Sequence, residues 1–180
     1  MKTYKMNIAG LERELEVFPI NDEISIAAFI LFGDTEITVR SAEELLKKVP
    51  EFDVILTPEA KSIPLAYEMS RRCGKPYIVA RKAPKLYMGD PISVEVKSIT
   101  TAAVQRLYLG ATESKLLKNR RVLIVDDVIS TGESLKAVEE LCKEAGGNCV
   151  ARCAVLAEGD AAKRDDIIFL EPLPLLKTEK

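Results

Sequence analysis

The chain has 180 residues, of which 47% are apolar and 30% charged, a size and composition that suit one globular domain with a single core. Its 26 basic and 28 acidic side chains nearly cancel and form no block of like charge, so neither a nucleic-acid surface nor an acidic tail is indicated. The chain has no histidine, which excludes Ser-His-Asp and Cys-His nucleophilic mechanisms. Chemistry must then come from carboxylates, lysines, arginines, hydroxyls, backbone amides or a bound metal.

The cysteines and the apolar segments indicate a reducing compartment. The four cysteines form neither a CxxC pair nor a zinc pattern, so we predict reduced, buried thiols. No apolar run approaches the roughly 20 residues needed to cross a bilayer, and the first residues lack a secretory core. We therefore expect a cytoplasmic protein with no membrane or nucleic-acid partner.

Residues 1–40 predict a small β-rich appendage. An apolar and acidic alternation in the second of two strands is typical of a half-exposed hairpin, and a further hairpin is predicted around Gly33-Asp34. Ser41 and Glu44 form a capping-box pattern that predicts the start of a helix. The two predicted strands are Tyr4–Ile8 and Leu11–Phe18.

Strands and helices alternate over residues 51–170. This pattern predicts an α/β fold with a mostly parallel sheet flanked by helices, in which ligands bind at the carboxyl ends of the strands. The whole chain, 1–180, is then one domain. The predicted strands are Asp53–Leu56, Tyr77–Ala80, Arg121–Asp126 and Asn148–Leu156, and the predicted helices run through Ile63–Cys73 and Leu135–Ala145.

Two segments depart from this alternation. A polar excursion between Arg81 and Leu109 holds two strand-like stretches, Ile92–Val96 and Ala102–Tyr108, and predicts a flexible lid over the site. The apolar tail from Ile167 to Leu176 is interrupted by prolines. We predict that this tail covers an edge or a pocket.

A strand that ends in two carboxylates and turns through a hydroxyl-rich loop into a helix is the strongest chemical signal. It runs from Val122 to Ser134. Backbone amides at the helix start and the loop hydroxyls would form a cradle for phosphate. Carboxylates do not bind phosphate, so Asp126 and Asp127 would contact ribose hydroxyls or a bound Mg²⁺. The alternative is an ordinary turn and cap, since the segment has neither Walker nor Rossmann spacing.

This segment resembles the phosphoribosyl-pyrophosphate signature of type I phosphoribosyltransferases: a hydrophobic strand, two acids, a short Thr-Gly loop, then Ser or Thr. In that family the acids hold the ribose hydroxyls and the loop binds the ribose phosphate. The resemblance implies a catalytic and binding role for Asp126 and Asp127. It implies phosphate binding for the loop residues Val128, Ile129, Ser130, Thr131, Gly132, Glu133 and Ser134. It also implies the type I phosphoribosyltransferase fold, with a small amino-terminal β-rich hood and a flexible lid.

The segment Thr57-Pro-Glu-Ala-Lys-Ser62 is similar to the family's pyrophosphate loop. The resemblance implies that Ala60 and Lys61 hold pyrophosphate. From the residues alone, the segment favours a plain helix amino terminus, with Thr57 as the cap and Pro58 at the first helical position.

The start of the excursion is similar to the basic entry of the family's lid. The resemblance implies that Arg81, Lys82 and Lys85 meet pyrophosphate, and solvated surface charge is the alternative. Within the lid, Ser93-Val-Glu95 resembles the adenine enzymes, which implies that Glu95 manages the proton on the base. The following Lys97-Ser-Ile-Thr-Thr101 resembles the xanthine enzymes.

The identity of the purine base is the property that the sequence determines least. The segment Ala157-Glu158-Gly159-Asp160 is not the usual ending of the purine enzymes. Aromatic side chains could stack on a base or belong to the core. The candidates are Phe18, Phe29, Phe32 and Phe169.

The resemblance implies an enzyme of purine salvage that transfers the phosphoribosyl group from phosphoribosyl pyrophosphate to a purine base, with Mg²⁺ as cofactor and a homodimeric assembly. We expect adenine first and xanthine or hypoxanthine second. A sensor of phosphoribosyl pyrophosphate that regulates transcription is the main alternative. No helix-turn-helix pattern or basic segment precedes the core, which disfavours it. A non-catalytic interaction module would have no need of the acid pair, Lys61 and the basic lid entry.

Overall fold

A computed structural model describes residues 2–96 and 105–178 of the chain. Four α-helices lie in these residues: α1 (Thr35–Lys48), α2 (Ile63–Cys73), α3 (Ala111–Leu117) and α4 (Glu133–Glu144). The strands are β1 (Thr3–Ile8), β2 (Leu11–Pro19), β3 (Ile24–Ala28), β4 (Val54–Pro58), β5 (Tyr77–Ala80), β6 (Ile92–Val96), β7 (Gln105–Leu109), β8 (Arg121–Ile129), β9 (Asn148–Glu158), β10 (Ile168–Leu173) and β11 (Leu176–Lys177).

The core is a five-stranded sheet in the order β10-β9-β8-β4-β5, and every neighbouring pair in it is parallel. The predicted parallel sheet flanked by helices is confirmed. Strand β8 is central and runs three residues past the predicted end, through the acid pair to Ile129. The carboxyl ends of β4, β5, β8 and β9 therefore meet at one edge, where a ligand site is expected.

Helices cover both faces of this sheet because successive strand residues point to opposite sides. Along β8, Leu123 and Val125 pack with α1, α2 and the hood, which is the sheet formed by β1, β2, β3 and β11. Val122 and Ile124 pack on the other face, with α3 and α4. The strand is thus buried on both sides, which explains its continuous apolar sequence.

The hood is antiparallel, with strand order β1-β2-β3-β11. The predicted second hairpin around Gly33-Asp34 is wrong, because that turn lies between β2 and β3. There the Asn21 side chain accepts hydrogen bonds from the backbone N–H groups of Glu23 and Ile24, at 2.9 and 2.8 Å. An asparagine that closes its own turn in this way is a common alternative to a glycine turn.

Helix α1 begins six residues before the predicted start at Ser41. Asp34 caps it, since its carboxylate accepts a hydrogen bond from the Ile37 N–H at 3.1 Å. The same carboxylate receives the Arg13 guanidinium of β2 at 2.7 Å, which ties the hood to the helix. Ser41 is instead buried in the middle of the helix.

The tail and the lid both add strands. Strand β10 covers the β9 edge of the core sheet, as predicted for the tail, and β11 pairs with β3 of the hood. In the lid, β6 and β7 form an antiparallel hairpin, and Ile92 and Val94 pack against the layer that contains α4. The segment Lys97–Thr101 and residues 102–104 of the second strand-like stretch lie outside the described residues.

All four cysteines are free, and Cys142 and Cys153 are buried. Burial raises the pKa of the Cys142 thiol to about 12, which fits an unreactive side chain. None of the helices in residues 2–96 and 105–178 is long and apolar enough to span a bilayer.

Asp34→Ala should lower the free energy of unfolding by about 1 to 2 kcal/mol, because the helix loses its cap and Arg13 loses one of its two carboxylate partners, keeping Glu36. Asp34→Asn keeps an oxygen that can cap the helix and removes only the charge, so its loss should be smaller. Urea unfolding of both variants measures this difference. Equal losses would mean that the ion pair, not the cap, stabilises this end of α1.

Candidate active site

A cavity of about 410 Å³ opens at the carboxyl edge of the sheet. Three parts of the chain enclose it: the loop 59–62 after β4, the end of β8 with the loop into α4, and the start and return of the lid at Lys82 and Leu107. Sequence analysis predicted that ligands bind at the carboxyl ends of the parallel strands, and the segments after three of those strands, β4, β5 and β8, line this cavity. The fold brings them to one place because the strands are parallel neighbours.

A buried set of hydroxyls fixes the shape of the first loop. Thr57 Oγ1 lies 2.8 Å from both the Val125 carbonyl oxygen and Ser62 Oγ, and Ser62 Oγ lies 3.0 Å from the Pro58 carbonyl oxygen. Thr57 and Ser62 are almost fully buried. Thr57 therefore does not cap a helix: Pro58 ends β4, and α2 begins only at Ile63.

The second loop leads into α4 through a glycine that the conformation requires. Gly132 has φ +82°, and a Cβ atom there would meet the Arg164 guanidinium at 2.8 Å. Helix α4 has no side-chain cap at its start. Apart from a long 3.5 Å hydrogen bond from the Glu133 N–H to Thr131 Oγ1, its first N–H groups have no intrahelical acceptor, and they carry the positive end of the helix dipole beside the cavity-lining Gly132 and Ser134. This is a favourable place for a phosphate.

The acid pair lies between the two loops. Asp127 is 4% exposed, and its Oδ2 lies 3.1 Å from the Lys61 ammonium without a well-aligned hydrogen bond to any donor in the described residues. Asp126 is half-buried, and its Oδ1 accepts a hydrogen bond from the Asp127 N–H at 2.9 Å. Desolvation, followed by the neighbouring Asp127 charge, raises the pKa of Asp126 well above its ordinary value.

Glu158, at the end of β9, is a further carboxylate near this centre. Burial raises its pKa, while the Lys61 charge acts in the opposite direction. The Lys61 charge therefore acts on carboxylates from both β8 and β9, and it contacts that of Asp127. This proximity arises from the pairing of β8 with β9, since about 30 residues separate the acid pair from Glu158 in sequence.

The three basic residues at the lid entry, Arg81, Lys82 and Lys85, differ in whether they line the cavity. Arg81 Nε donates to Glu59 Oε2 at 3.2 Å, and its NH1 donates to the Tyr87 hydroxyl at 3.0 Å. Lys82 lines the cavity, whereas Arg81 and Lys85 do not. Adjacent residues of an extended segment point to opposite sides, which separates Arg81 from Lys82.

Most of the residues predicted to bind phosphoribosyl pyrophosphate line this one cavity. They are Ala60, Lys61, Lys82, Asp126, Asp127, Val128, Ile129, Ser130, Thr131, Gly132 and Ser134. Arg81, Lys85 and Glu133 were also predicted but lie outside its lining. The lining residues that sequence reasoning did not single out are Pro58, Glu59, Ser62, Leu107 and Leu135.

Glu95, the predicted proton carrier for the base, is half-exposed on the lid hairpin. Its carboxylate pairs with Arg106 on the opposite strand at 2.7 Å, and it does not line the cavity. The aromatic candidates do not line it either. Phe29 is buried in the core, Phe169 packs against the α4 layer, and Phe18 and Phe32 are exposed on the hood side of the chain.

Asp126→Asn should raise the melting temperature of the ligand-free protein at pH 7. The folded-state pKa of Asp126 is raised, so ionisation of this carboxyl costs stability, and the cost appears as the pH rises above the ordinary value of 3.8. The gain from the variant should therefore vanish below about pH 4. Calorimetric melting from pH 3 to 8 measures it.

Asp53→Asn is the matched control with the opposite sign. Arg121 lowers the pKa of Asp53 to about 2, so this carboxylate contributes stability above its unfolded-state pKa and loses it as the pH falls toward 2. The control should melt lower than the parent at pH 7. An Asp126→Asn protein that also melted lower would contradict the assigned burial cost.

A family model described as "Phosphoribosyl transferase domain" matches residues 34–172. The hypoxanthine/guanine phosphoribosyltransferase of Methanococcus voltae is 32% identical over 148 residues, which cover 82% of this chain and 73% of that protein. The adenine phosphoribosyltransferase of Thermosipho africanus is 28% identical over 176 residues, covering 97% and 95%.

The crystal structure of adenine phosphoribosyltransferase from Thermoanaerobacter pseudethanolicus has the same fold, with a TM-score of 0.71 and 24% identity over 88% of this chain and 95% of that one. The predicted type I phosphoribosyltransferase fold is thus confirmed. Since the family model covers most of the sequence and its signature loops enclose the cavity, the chain belongs to the phosphoribosyl transferase domain family and is an enzyme.

Proposed function

We propose that the chain transfers the phosphoribosyl group from phosphoribosyl pyrophosphate to a purine base and releases pyrophosphate, as an enzyme of purine salvage. One observation carries the proposal. A single cavity combines an uncapped helix start, a pair of carboxylates and two lysines, Lys61 and Lys82, from different loops. These are the groups that a ligand with a phosphate, a ribose and a pyrophosphate requires.

The parts of the cavity suit the parts of this ligand. The N–H groups at the start of α4 and the hydroxyls of Ser130, Thr131 and Ser134 would hold the ribose phosphate. The carboxylates of Asp126 and Asp127 would accept hydrogen bonds from the ribose hydroxyls. The loop 59–62 and the two lysines would hold the pyrophosphate through charge.

Mg²⁺ fits this site as an ion that arrives with the ligand. No group of three or more Cys, Asp or Glu side chains in residues 2–96 and 105–178 is arranged to hold a metal alone. Asp127 Oδ2 is buried 3.1 Å from the Lys61 ammonium without a well-aligned hydrogen bond, so it retains accepting capacity for a group that the ligand or its ion would bring. Asp126 and Asp127 would hold the ion together with ligand oxygens, and the ion would neutralise charge on the pyrophosphate.

The protein's task is then electrostatic placement. Displacement of pyrophosphate at the ribose carbon builds positive charge on the sugar and negative charge on the leaving group. Lys61 and Lys82 would stabilise the leaving group, and the buried acid pair would orient the ribose. The buried side chain of Leu107 gives the lid an apolar wall that would exclude water.

For the base, we propose adenine. One relative that aligns over nearly the whole of both chains is an adenine enzyme, and so is the Thermoanaerobacter structure. Hypoxanthine or guanine is the second candidate, favoured by the higher identity of the Methanococcus enzyme. A homodimer and a cytoplasmic location remain predictions.

Pyrophosphate release in the presence of Mg²⁺ and phosphoribosyl pyrophosphate tests the function, with adenine, guanine, hypoxanthine, xanthine and uracil supplied separately. Release with adenine is the expected result. The double variant Asp126→Asn/Asp127→Asn should bind no phosphoribosyl pyrophosphate in calorimetry and release nothing. Binding by the parent without turnover on any base would instead support a sensor.

Thr131→Val should weaken binding of phosphoribosyl pyrophosphate by about 1 to 2 kcal/mol, because one hydrogen bond to the phosphate is lost. Thr131→Ser keeps the hydroxyl and should bind nearly as tightly as the parent. Titration calorimetry compares the three dissociation constants. Equal constants for the valine variant and the parent would show that this hydroxyl does not contact the phosphate.

A further inference from the structure

Glu59 joins two parts of the cavity that are distant in sequence. Its Oε2 accepts hydrogen bonds from the Lys82 N–H at 2.9 Å and from Arg81 Nε at 3.2 Å. Its own N–H donates to the Ala80 carbonyl oxygen at 2.9 Å. The loop after β4 is therefore fixed to the end of β5 by three hydrogen bonds, two of which end on one carboxylate oxygen.

These hydrogen bonds place the adjacent side chains of Arg81 and Lys82 in different surroundings. Arg81 is held by Glu59, by the Tyr87 hydroxyl, and by a pair of backbone hydrogen bonds to Tyr108. Lys82 has no ion pair in the described part of the chain, and it lines the cavity. The Lys82 N–H and then Arg81 hold the pKa of Glu59 below its ordinary value, so this carboxyl stays ionised at neutral pH.

We propose that Glu59 is a positioning residue that directs Lys82 into the pyrophosphate part of the cavity and keeps Arg81 out of it. The inference deepens the proposed function and rests on it, since the ligand is the pyrophosphate group. Glu59 acts through Lys82: by fixing the Lys82 backbone, it sets where that ammonium stands relative to Lys61 on the neighbouring loop.

Electrostatic repulsion alone predicts the opposite change in pyrophosphate binding. A carboxylate at the cavity wall repels a pyrophosphate, so its removal would tighten binding, and a released Arg81 would tighten binding further. Positioning predicts weaker binding. The sign of the change therefore separates the two effects.

The test compares Glu59→Ala, Glu59→Gln, Lys82→Ala and the double variant Glu59→Ala/Lys82→Ala. Glu59→Ala should raise the KM for phosphoribosyl pyrophosphate on the order of tenfold, as expected for loss of a charge-assisted hydrogen bond, and should leave the KM for the base unchanged. Lys82→Ala should have a similar effect, and the double variant should lose little more, because both changes remove the same contact.

Glu59→Gln should bind between Glu59→Ala and the parent, because its amide oxygen can still accept from the Lys82 N–H. Glu51→Ala is the matched control. It removes an exposed carboxylate next to the amino end of β4, outside the cavity, and should change neither KM. Circular dichroism melting confirms that each variant is folded, and calorimetry with Mg²⁺ and pyrophosphate alone gives the same comparison without turnover.

Tighter or unchanged binding of pyrophosphate by folded Glu59→Ala or Glu59→Gln would overturn the inference, as would losses that add fully in the double variant. Those results leave the proposed function intact, since the parent still turns over. A parent protein that binds neither phosphoribosyl pyrophosphate nor pyrophosphate would overturn the function and the inference together.

Discussion

The Thr57 hydroxyl lies 2.8 Å from the Val125 carbonyl oxygen, in the buried space between β4 and β8. Val125 is the residue before the acid pair, so this one contact ties the loop that follows β4 to the strand that carries the carboxylates. Ser62, on the same hydroxyl set, closes the loop at the start of α2. The spacing between Lys61 and Asp127 depends on these hydroxyls, because they fix the loop on both sides of Lys61, at Thr57 and at Ser62.

The ionised form of Asp126, at the centre of the site, lowers the stability of the ligand-free protein. The ionised carboxylate of Asp126 is unfavourable in the ligand-free protein, because it is desolvated and lies beside the second carboxylate of Asp127. Its raised pKa reflects that cost. The nearby Lys61 ammonium offsets part of the charge but is itself about half exposed. A ligand that brings hydroxyl donors and a divalent cation would offset the remaining cost of ionising the acid pair. The burial of this pair would in that way favour tight binding.

Much of the fold followed from local patterns. Four of the five core strands, all but β10, and the helices α2 and α4 were predicted because buried parallel strands are continuously apolar and their helices are amphipathic. The hood was predicted less well. Asp34 caps a helix where a hairpin had been predicted, since an aspartate next to a glycine suits a turn and a helix cap alike, and the contact that decides between them is made by Arg13 from another strand.

The sequence alone determined the family and the position of the acid pair, and it predicted the loop that we propose binds phosphate, because the signature from Val122 to Ser134 is contiguous and its chemistry is local. Only the tertiary structure decided which cations line the cavity. Arg81 and Lys82 are equivalent as neighbours in sequence, and their surroundings differ because Glu59, from the loop after β4, binds the guanidinium of Arg81 and the backbone N–H of Lys82. Glu158 approaches Lys61 for the same reason: hydrogen bonding between parallel strands joins residues that the chain itself keeps apart.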